Sequence, residues 1–132
     1  MARPNPTPLE GAEQRALFAW AKLNERKYPE LALLHAIPNG GKRNAREAAN
    51  LKAQGVKAGV PDICLPVRRG DCGALYIELK RRQGGRPTEA QLEWMEALKQ
   101  QGNAVALCYG ADAAMTEILR YLEGHHEIID HP

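Results

Sequence analysis

Two short apolar runs that stand close together restrict the fold of this chain more than any other feature. The runs are DICLPV, residues 62–67, and ALYIELK, residues 74–80. Only the six residues 68–73 separate them, and these include two arginines and two glycines. A short turn can join antiparallel strands, whereas parallel neighbours need a crossover of about a dozen residues or more. The spacing therefore predicts a β-hairpin built from two antiparallel strands.

The rest of the chain alternates between helical periodicity and apolar strand-like runs. Helices are predicted at residues 9–27, 43–55, 86–102 and 112–124, and further strands at residues 31–37 and 104–110. This alternation predicts an α/β fold in which helices flank a mixed central sheet. The strand–helix–strand unit between residues 74 and 110 predicts that its two strands are parallel.

A length of 132 residues indicates a single domain. We expect a flexible N-terminal arm over residues 1–8, which hold three prolines, a folded domain over residues 9–123 and a C-terminal tail over residues 124–132. The three cysteines show no paired spacing, which favours a reducing compartment. No apolar run approaches the roughly 18–20 residues that a membrane span needs. We therefore expect a soluble cytoplasmic protein without a membrane partner.

Three charged residues lie at the ends of the two predicted hairpin strands. Asp62 begins the first strand, and Glu78 and Lys80 end the second. Residues two apart in a strand face the same side, so Glu78 and Lys80 share one face. Antiparallel pairing brings Asp62 to the same end of the sheet, where two carboxylates repel each other unless a cation lies between them.

Oxygen ligands of this kind suit Mg²⁺ or Mn²⁺. The backbone carbonyl of Leu79 is a candidate further ligand, because it lies between the two charged side chains of its strand. A metal ion held here would lower the pKa of bound water and neutralise phosphate charge, while Lys80 would orient the water or stabilise a developing oxyanion. The constellation therefore predicts metal-assisted phosphodiester hydrolysis. The alternative is a surface ion pair of Glu78 with Lys80, with Asp62 as a turn residue after Pro61.

Five stretches of the chain resemble a known family in the family's own order. They are EQRALFAWA (13–21), HAIPNGGKR (35–43), LKAQGVKAGVPDICLPV (51–67), LYIELKRRQGGRPTEAQ (75–91) and CYGADAAMTEILRYL (108–122). Together they resemble the PD-(D/E)XK nuclease superfamily, and within it the small stand-alone VRR-NUC proteins of phages and bacteria. The resemblance implies a restriction-endonuclease-like fold and a nuclease domain over residues 9–123.

The resemblance also implies an activity and the residues that carry it. It implies a metal-dependent endonuclease on branched DNA, working as a homodimer on four-way junctions. It assigns Asp62 and Glu78 as metal ligands and Lys80 as the catalytic lysine. It assigns Glu13, on the first helix, as the further acidic residue of the metal site, with Glu10 as a rival one helical turn away.

Gln91 matches a recurring glutamine of the family that lines the site. It lies on the helix that follows the motif. Two other interpretations of function stay open. The first is a nuclease directed at flaps or nicks, and the second is a non-catalytic DNA-binding accessory module that retains the fold.

The basic residues cluster, although the net charge of +2 neither supports nor excludes a nucleic-acid partner. The bland interpretation is that the clusters are solvated loops. Some follow a glycine turn that leads into a basic helix, some lie in the hairpin turn and some lie beside the active-site strand, and each place is a candidate for contacts with DNA phosphates. The candidates are Lys42, Arg43, Arg46, Arg68, Arg69, Arg81, Arg82 and Arg86.

Overall fold

A computed structural model describes residues 6–38 and 44–124 of the chain, with only the helical backbone given for residues 6–10. The helices are α1 (Pro6–Leu23), α2 (Ala45–Ala53), α3 (Glu89–Gln100) and α4 (Ala111–Leu122), with a 3₁₀ helix at Pro29–Leu33. The strands are β1 (His35–Ala36), β2 (Ile63–Leu65), β3 (Leu75–Lys80) and β4 (Ala104–Tyr109). No helix within the described ranges is both long and apolar enough to cross a membrane.

The four strands form one mixed sheet in the order β1-β2-β3-β4. The first two pairs are antiparallel, and β3 and β4 are parallel. Both pairing predictions are therefore confirmed. In the hairpin Ile63 lies opposite Ile77, so the register brings Asp62 to the level of Glu78.

The hairpin closes through a tight turn between Arg69 and Cys72. The backbone N–H of each residue donates to the carbonyl of the other, at 3.0 and 2.9 Å. Gly70, inside the turn, has a φ of 56°, a conformation that glycine adopts without steric cost. The turn fixes the register and hence the level at which the two strand ends meet.

The main hydrophobic core lies between one face of the sheet and the helices α1 and α4. Leu17 of α1 and Ile118 of α4 are fully buried against Leu75 and Ile77 of β3. Burial of each such side chain stabilises the fold by roughly 1.5–3 kcal/mol. The hydroxyl of Tyr121 donates to the carbonyl of Val67 and ties α4 to the end of the hairpin.

Helix α3 covers part of the other face of the sheet. Among the described residues, Met95 is the only buried apolar side chain of this helix, with 8% of its surface exposed. The contact of Gln91 with Lys80 places the first turn of α3 on the face of β3 that carries the charged residues. The two faces therefore differ: one is an apolar core, and the other carries the candidate site.

The predicted strand at residues 31–37 is mostly a 3₁₀ helix, and only His35–Ala36 is strand. Pro29 stands at the start of the 3₁₀ helix, where its fixed φ fits. Leu31 and Leu34 are buried while Leu33 is 52% exposed. A spacing of three between buried residues follows the 3₁₀ repeat, and an unbroken apolar run conceals that period.

The bounds of the first two long helices also differ from prediction. Helix α1 begins at Pro6, inside the segment predicted to be an arm, and ends at Leu23 instead of residue 27. At this end the side-chain amide of Asn24 donates to the carbonyl of Trp20, at 2.8 Å. Helix α2 begins after Asn44, whose side chain accepts from Glu47 N. Residues 1–5, 39–43 and 125–132, and with them most of the predicted tail, lie outside the described residues.

Candidate active site

Asp62 and Glu78 meet where the hairpin strands end. Asp62 directly precedes β2, and Glu78 lies at the fourth position of β3. The Oδ2 atom of Asp62 accepts a hydrogen bond from the backbone N–H of Leu79, at 2.9 Å. This bond anchors the Asp62 carboxylate to the neighbouring strand, on the level of Glu78. The predicted convergence of the two carboxylates is thus what the structure shows.

Glu78 is a buried carboxylate, with 1% of its surface exposed. One oxygen, Oε2, lies 3.3 Å from Nζ of Lys80. The other, Oε1, is buried and has no hydrogen-bond partner among the described residues. Burial, together with the negative charge of Asp62, raises the pKa of Glu78 to about 7, although the Lys80 ammonium opposes this. The folded chain therefore keeps an electrostatically costly pair of acids at this point.

A divalent cation fits this arrangement. A cation would satisfy the unpartnered oxygen of Glu78 and remove the repulsion from Asp62. Among the side chains of residues 11–38 and 44–124, no group of three or more His, Cys, Asp and Glu residues lies close enough to hold a metal. The donor set is therefore two carboxylates plus backbone and water oxygens, which is the kind of set that Mg²⁺ accepts.

The carbonyl of Leu79 points toward the same edge of β3 as Asp62. The carbonyl of the next residue, Lys80, accepts from Gly110 N at 2.9 Å and so points toward β4. Successive residues of a strand direct their backbone groups to opposite edges, and the N–H and C=O of one residue share an edge. Because Leu79 N donates to Asp62, its C=O is also on that edge.

Lys80 is held between Glu78 and Gln91. Its Nζ donates to Oε1 of Gln91 at 2.9 Å, and its side chain is 15% exposed. The same Gln91 oxygen accepts from Thr88 N at 2.8 Å, and Thr88 Oγ1 accepts from Gln91 N at 3.1 Å. This reciprocal pair is the capping box of α3, so the start of the helix fixes the lysine.

Gly59 joins the Asp62 segment to the same helix. Its φ is 91°, and a Cβ at this position would lie 2.9 Å from the carbonyl carbon and oxygen of Ala90. Those atoms are backbone and cannot rotate away. Only glycine therefore fits, and the loop that carries Asp62 packs directly on the first turn that carries Gln91.

Glu13 lies at the same end of the sheet but has other partners. Its Oε1 accepts from the backbone N–H of Ala111, the first residue of α4, at 2.8 Å. Its Oε2 lies 3.3 Å from Nε of Arg82, which also binds Asp112. These bonds engage both oxygens at the helix terminus, away from the Asp62–Glu78 pair. The side chain of its rival, Glu10, lies outside the described residues.

Comparison with known proteins decides the family. The model of the VRR-NUC domain matches residues 9–112, which include every residue of the site just described. The chain belongs to the VRR-NUC family. A solved structure described as a VRR_NUC domain protein is 28% identical, with a TM-score of 0.75 and coverage of 92% of both chains. No curated protein matches the chain.

Membership in the VRR-NUC family confirms the predicted fold class, since VRR-NUC is a PD-(D/E)XK-type fold. It also implies a nuclease function and DNA as the substrate. The motif residues occupy the expected places in this VRR-NUC domain: Pro61 and Asp62 lead into β2, and Glu78 and Lys80 lie near the end of β3.

The two hairpin arginines of the VRR-NUC domain lie far from these motif residues. Arg68 and Arg69 stand at the turn, which is the opposite end of β3 from Lys80. A strand of six residues spans about 17 Å. Arg68 is exposed, whereas Arg69 donates to the carbonyl of Leu122 at 3.0 Å and pairs with Glu30. Arg69 thus links the hairpin turn to the end of α4 and to Glu30.

The other basic candidates of the VRR-NUC domain differ in their surroundings. Arg46 and Arg86 are exposed. Arg82 is 60% exposed but binds Glu13 and Asp112, which raise the pKa of its guanidinium. Arg81 has a buried Nε without a hydrogen-bond partner among the described residues. Lys42 and Arg43 lie outside the described residues.

Sequence reasoning missed Gly59 as part of the VRR-NUC site. The only available signal was a glycine three residues before Asp62, and glycines at loop positions are common. Its role depends on a contact with Ala90, thirty-one residues further along the chain. Such a contact exists only once the helix has docked on the loop.

Proposed function

We propose that this VRR-NUC protein is a Mg²⁺- or Mn²⁺-dependent endodeoxyribonuclease that hydrolyses phosphodiester bonds in branched DNA. The observation that carries the proposal is the pairing of the half-buried Asp62 with the buried Glu78, one of whose oxygens has no hydrogen-bond partner among the described residues. A cation between the two acids would relieve the cost of keeping them together. The neighbouring lysine, fixed by two hydrogen-bonded groups, completes a hydrolytic site.

In this mechanism Asp62, Glu78 and the carbonyl of Leu79 would hold the cation. When bound, it supplies neutralisation of phosphate charge and lowers the pKa of water at the site. Water attacks the phosphorus in line and gives up a proton to solvent, and the bond to the leaving oxygen breaks as that oxygen takes a proton from solvent. Lys80 donates a hydrogen bond to the attacking water or to a non-bridging oxygen, where negative charge develops. Gln91 keeps the lysine at the position where that bond is made.

Glu13 has a supporting part in this proposal. Both of its oxygens are engaged, by Ala111 N and by Arg82, so it would have to leave two partners to bind a metal ion. In its present position it caps the positive end of α4 and holds Arg82 at the rim of the site. The direct acidic ligands of the proposal are therefore Asp62 and Glu78.

Branched DNA, with a four-way junction as the main candidate, and a homodimeric enzyme are the finer parts of the proposal. They rest on the resemblance to small stand-alone VRR-NUC proteins. A two-fold symmetric dimer can present two active sites to a two-fold symmetric junction, which supports the pairing of the two ideas. Exposed Arg46 and Arg86 are proposed to contact the phosphate backbone.

The test is a cleavage panel of four-way, flap, nicked, forked and linear DNA with Mg²⁺, Mn²⁺ or EDTA. We expect metal-dependent cleavage that is strongest on a branched substrate and lost in Asp62→Ala and Lys80→Ala, while both variants stay folded by circular dichroism. Near wild-type cleavage by both variants would contradict the assignment. Binding of DNA without metal-dependent cleavage would favour a non-catalytic accessory module. Cleavage confined to flaps or nicks would favour a nuclease directed at those structures. The mass in solution tests the homodimer.

A further inference from the structure

The face of the sheet that carries the site continues onto strand β4. Glu78 is in register with Leu107, and Lys80 is in register with Tyr109. Neighbours in register point to the same face of a sheet. Leu107 is 36% exposed and Tyr109 42% exposed, so β4 presents two large apolar side chains beside the two motif residues.

Leu92 of helix α3 flanks the same area. Gln91 faces the sheet, and Ala90 touches Gly59 on the β2 side of the helix. Successive helical residues are about 100° apart, so Leu92 lies on the flank opposite Ala90, toward β4. It is 51% exposed. We call Leu92, Leu107 and Tyr109 the apolar shelf.

The shelf gathers three of the exposed large apolar side chains of the described chain in one place. Within the described residues only five large hydrophobic side chains are exposed, and three of them form the shelf. On the opposite face of β4, Cys108 is 4% exposed and packs in the core. Apolar groups that stay exposed together beside a reactive site indicate a surface that contacts something.

The position of the shelf indicates what kind of molecule binds on it. Adjacent strands are about 4.8 Å apart, so a body resting on Leu107 and Tyr109 lies one strand spacing from Glu78 and Lys80 and can touch the partly exposed side chain of Lys80. A second copy of the chain seated there would cover the site and exclude the substrate. A nucleotide attached to a phosphate at Lys80 would instead lie over Tyr109 without closing the site.

We infer that the shelf receives an unpaired nucleotide next to the scissile phosphate, with its base stacked on the ring of Tyr109. The inference rests on the proposed nuclease function and deepens it. In a duplex the faces of the bases stack on each other, so an aromatic side chain can take only a base that has left the helix. The base must therefore leave the duplex at the cleaved bond, as a base at the branch point of branched DNA can.

The experiment compares wild type with Tyr109→Ala, Tyr109→Phe and Leu23→Ala on forked DNA. Leu23→Ala is the matched control, since Leu23 is 84% exposed and outside the shelf. Each enzyme is assayed on a fork with an intact base and on one with an abasic nucleotide, placed at each position that flanks the mapped cut. Stacking on an aromatic ring contributes about 1–3 kcal/mol per base, so Tyr109→Ala should lose roughly 5- to 150-fold in kcat/KM on the intact fork.

The abasic fork separates stacking from a structural effect. For the inferred contact, Tyr109→Ala and wild type cleave the abasic fork equally, and Tyr109→Phe and Leu23→Ala match wild type on both forks. An equal loss on both forks, or no loss on either, overturns the inference. A change of solution mass from dimer to monomer in Tyr109→Ala also overturns it, because the shelf is then a subunit interface.

Failure of the nuclease function is visible separately. If wild type cleaves no DNA with Mg²⁺ or Mn²⁺, the proposed function fails, and the shelf is tested by binding alone. Fluorescence anisotropy with the same forks and Lys80→Ala as background then measures the Tyr109→Ala effect. A loss of affinity confined to the intact fork supports the stacking contact, and equal losses on both forks contradict it.

Discussion

The amide oxygen of Gln91 accepts two hydrogen bonds, one from the ammonium group of Lys80 at 2.9 Å and one from the backbone N–H of Thr88 at 2.8 Å. One atom therefore serves both the N-terminal cap of α3 and the lysine of the proposed site. This couples the start of a helix to the end of a strand eleven residues earlier. Formation of the cap and placement of the lysine are thus parts of one local arrangement.

Replacing Gln91 should impair catalysis more than binding. Gln91→Ala leaves Lys80 with Glu78 as its remaining partner, so the ammonium is drawn toward the carboxylate and away from the substrate. Because misplacement of a catalytic group by about 1 Å can cost on the order of 100-fold, we expect kcat to fall between tenfold and 100-fold with KM nearly unchanged. Steady-state cleavage kinetics on a branched substrate measure this.

Thr88→Ala separates the cap from the lysine. It removes the hydroxyl that accepts from Gln91 N but keeps the backbone N–H that binds the Gln91 side chain. It should lower the free energy of unfolding by about 1 kcal/mol in urea titrations, and Thr88→Ser should restore it. If Thr88→Ala lowers kcat as strongly as Gln91→Ala, the loss in both variants comes from the helix start and not from the lysine contact.

Without metal, Glu78 should make the protein less stable as the pH rises. Its pKa is about 7 in the folded chain against 4.5 for the free side chain, so the native state binds more protons than the unfolded state between these values. The sign of the linkage then makes the unfolding free energy decrease from about pH 4.5 through pH 7. The total loss from this group is on the order of 3 kcal/mol.

Glu78→Gln tests the effect, because the amide cannot ionise. In EDTA we expect this variant to melt at a higher temperature than wild type at pH 8 and within a degree or two of it near pH 4, below both pKa values. Added Mg²⁺ should raise the melting temperature of wild type and leave the variant unchanged. Glu96→Gln, an exposed carboxylate on α3, is the control and should follow wild type. A constant difference between Glu78→Gln and wild type across this pH range would contradict the assignment.

Much of the fold was predictable because local patterns determine it. The six-residue connection predicted the hairpin, and the strand–helix–strand unit predicted that β3 and β4 are parallel. The two-residue repeat of a strand placed Glu78 and Lys80 on one face. The strand at residues 31–37 failed because four apolar residues in a row, LALL, carry no visible period.

The site was predictable only as far as its motif residues. Asp62 and Glu78 meet because the hairpin register makes them meet, and the sequence contains that register. The partners of Glu13 depend on how α1 packs beside α4, and the contact of Gly59 depends on the docking of α3. These are tertiary contacts between distant segments, which a single sequence does not encode in any local pattern.

Gly59→Ala should lower cleavage through the packing of the Asp62 loop on α3. The new Cβ would approach the Ala90 backbone to 2.9 Å, so the loop or the helix must move. Gly55→Ala is the matched control, because Gly55 has a φ of 100° and no described atom within 4 Å of the added Cβ. Both variants pay the cost of an unfavourable φ, roughly 1–2 kcal/mol of stability.

Only Gly59→Ala adds the clash. We therefore expect a further loss of unfolding free energy and at least tenfold lower kcat/KM than in Gly55→Ala, measured on the same branched substrate. Equal activity of the two variants would show that the contact with Ala90 does not position the site.

Replacement of Arg86 should change how DNA affinity depends on salt, whereas replacement of Arg69 should not. Arg86 is exposed and lies in the loop between Lys80 and the N-cap of α3. Its proposed role is a phosphate contact. Loss of one phosphate contact reduces the slope of log K against log salt by about one, so Arg86→Ala should bind every DNA more weakly and with a shallower slope. Anisotropy titrations between low and moderate salt measure it.

Arg69→Ala should instead weaken the fold. Its guanidinium binds the Leu122 carbonyl and Glu30 about one strand length from the site, so its removal leaves an acceptor and a carboxylate without their donor. We expect roughly 1–2 kcal/mol lower stability in urea, with DNA affinity and salt slope equal to wild type at temperatures where the variant is folded. A shallower salt slope in Arg69→Ala would instead place DNA at the hairpin turn, because a residue that only braces α4 against the hairpin releases no counterions from a phosphate.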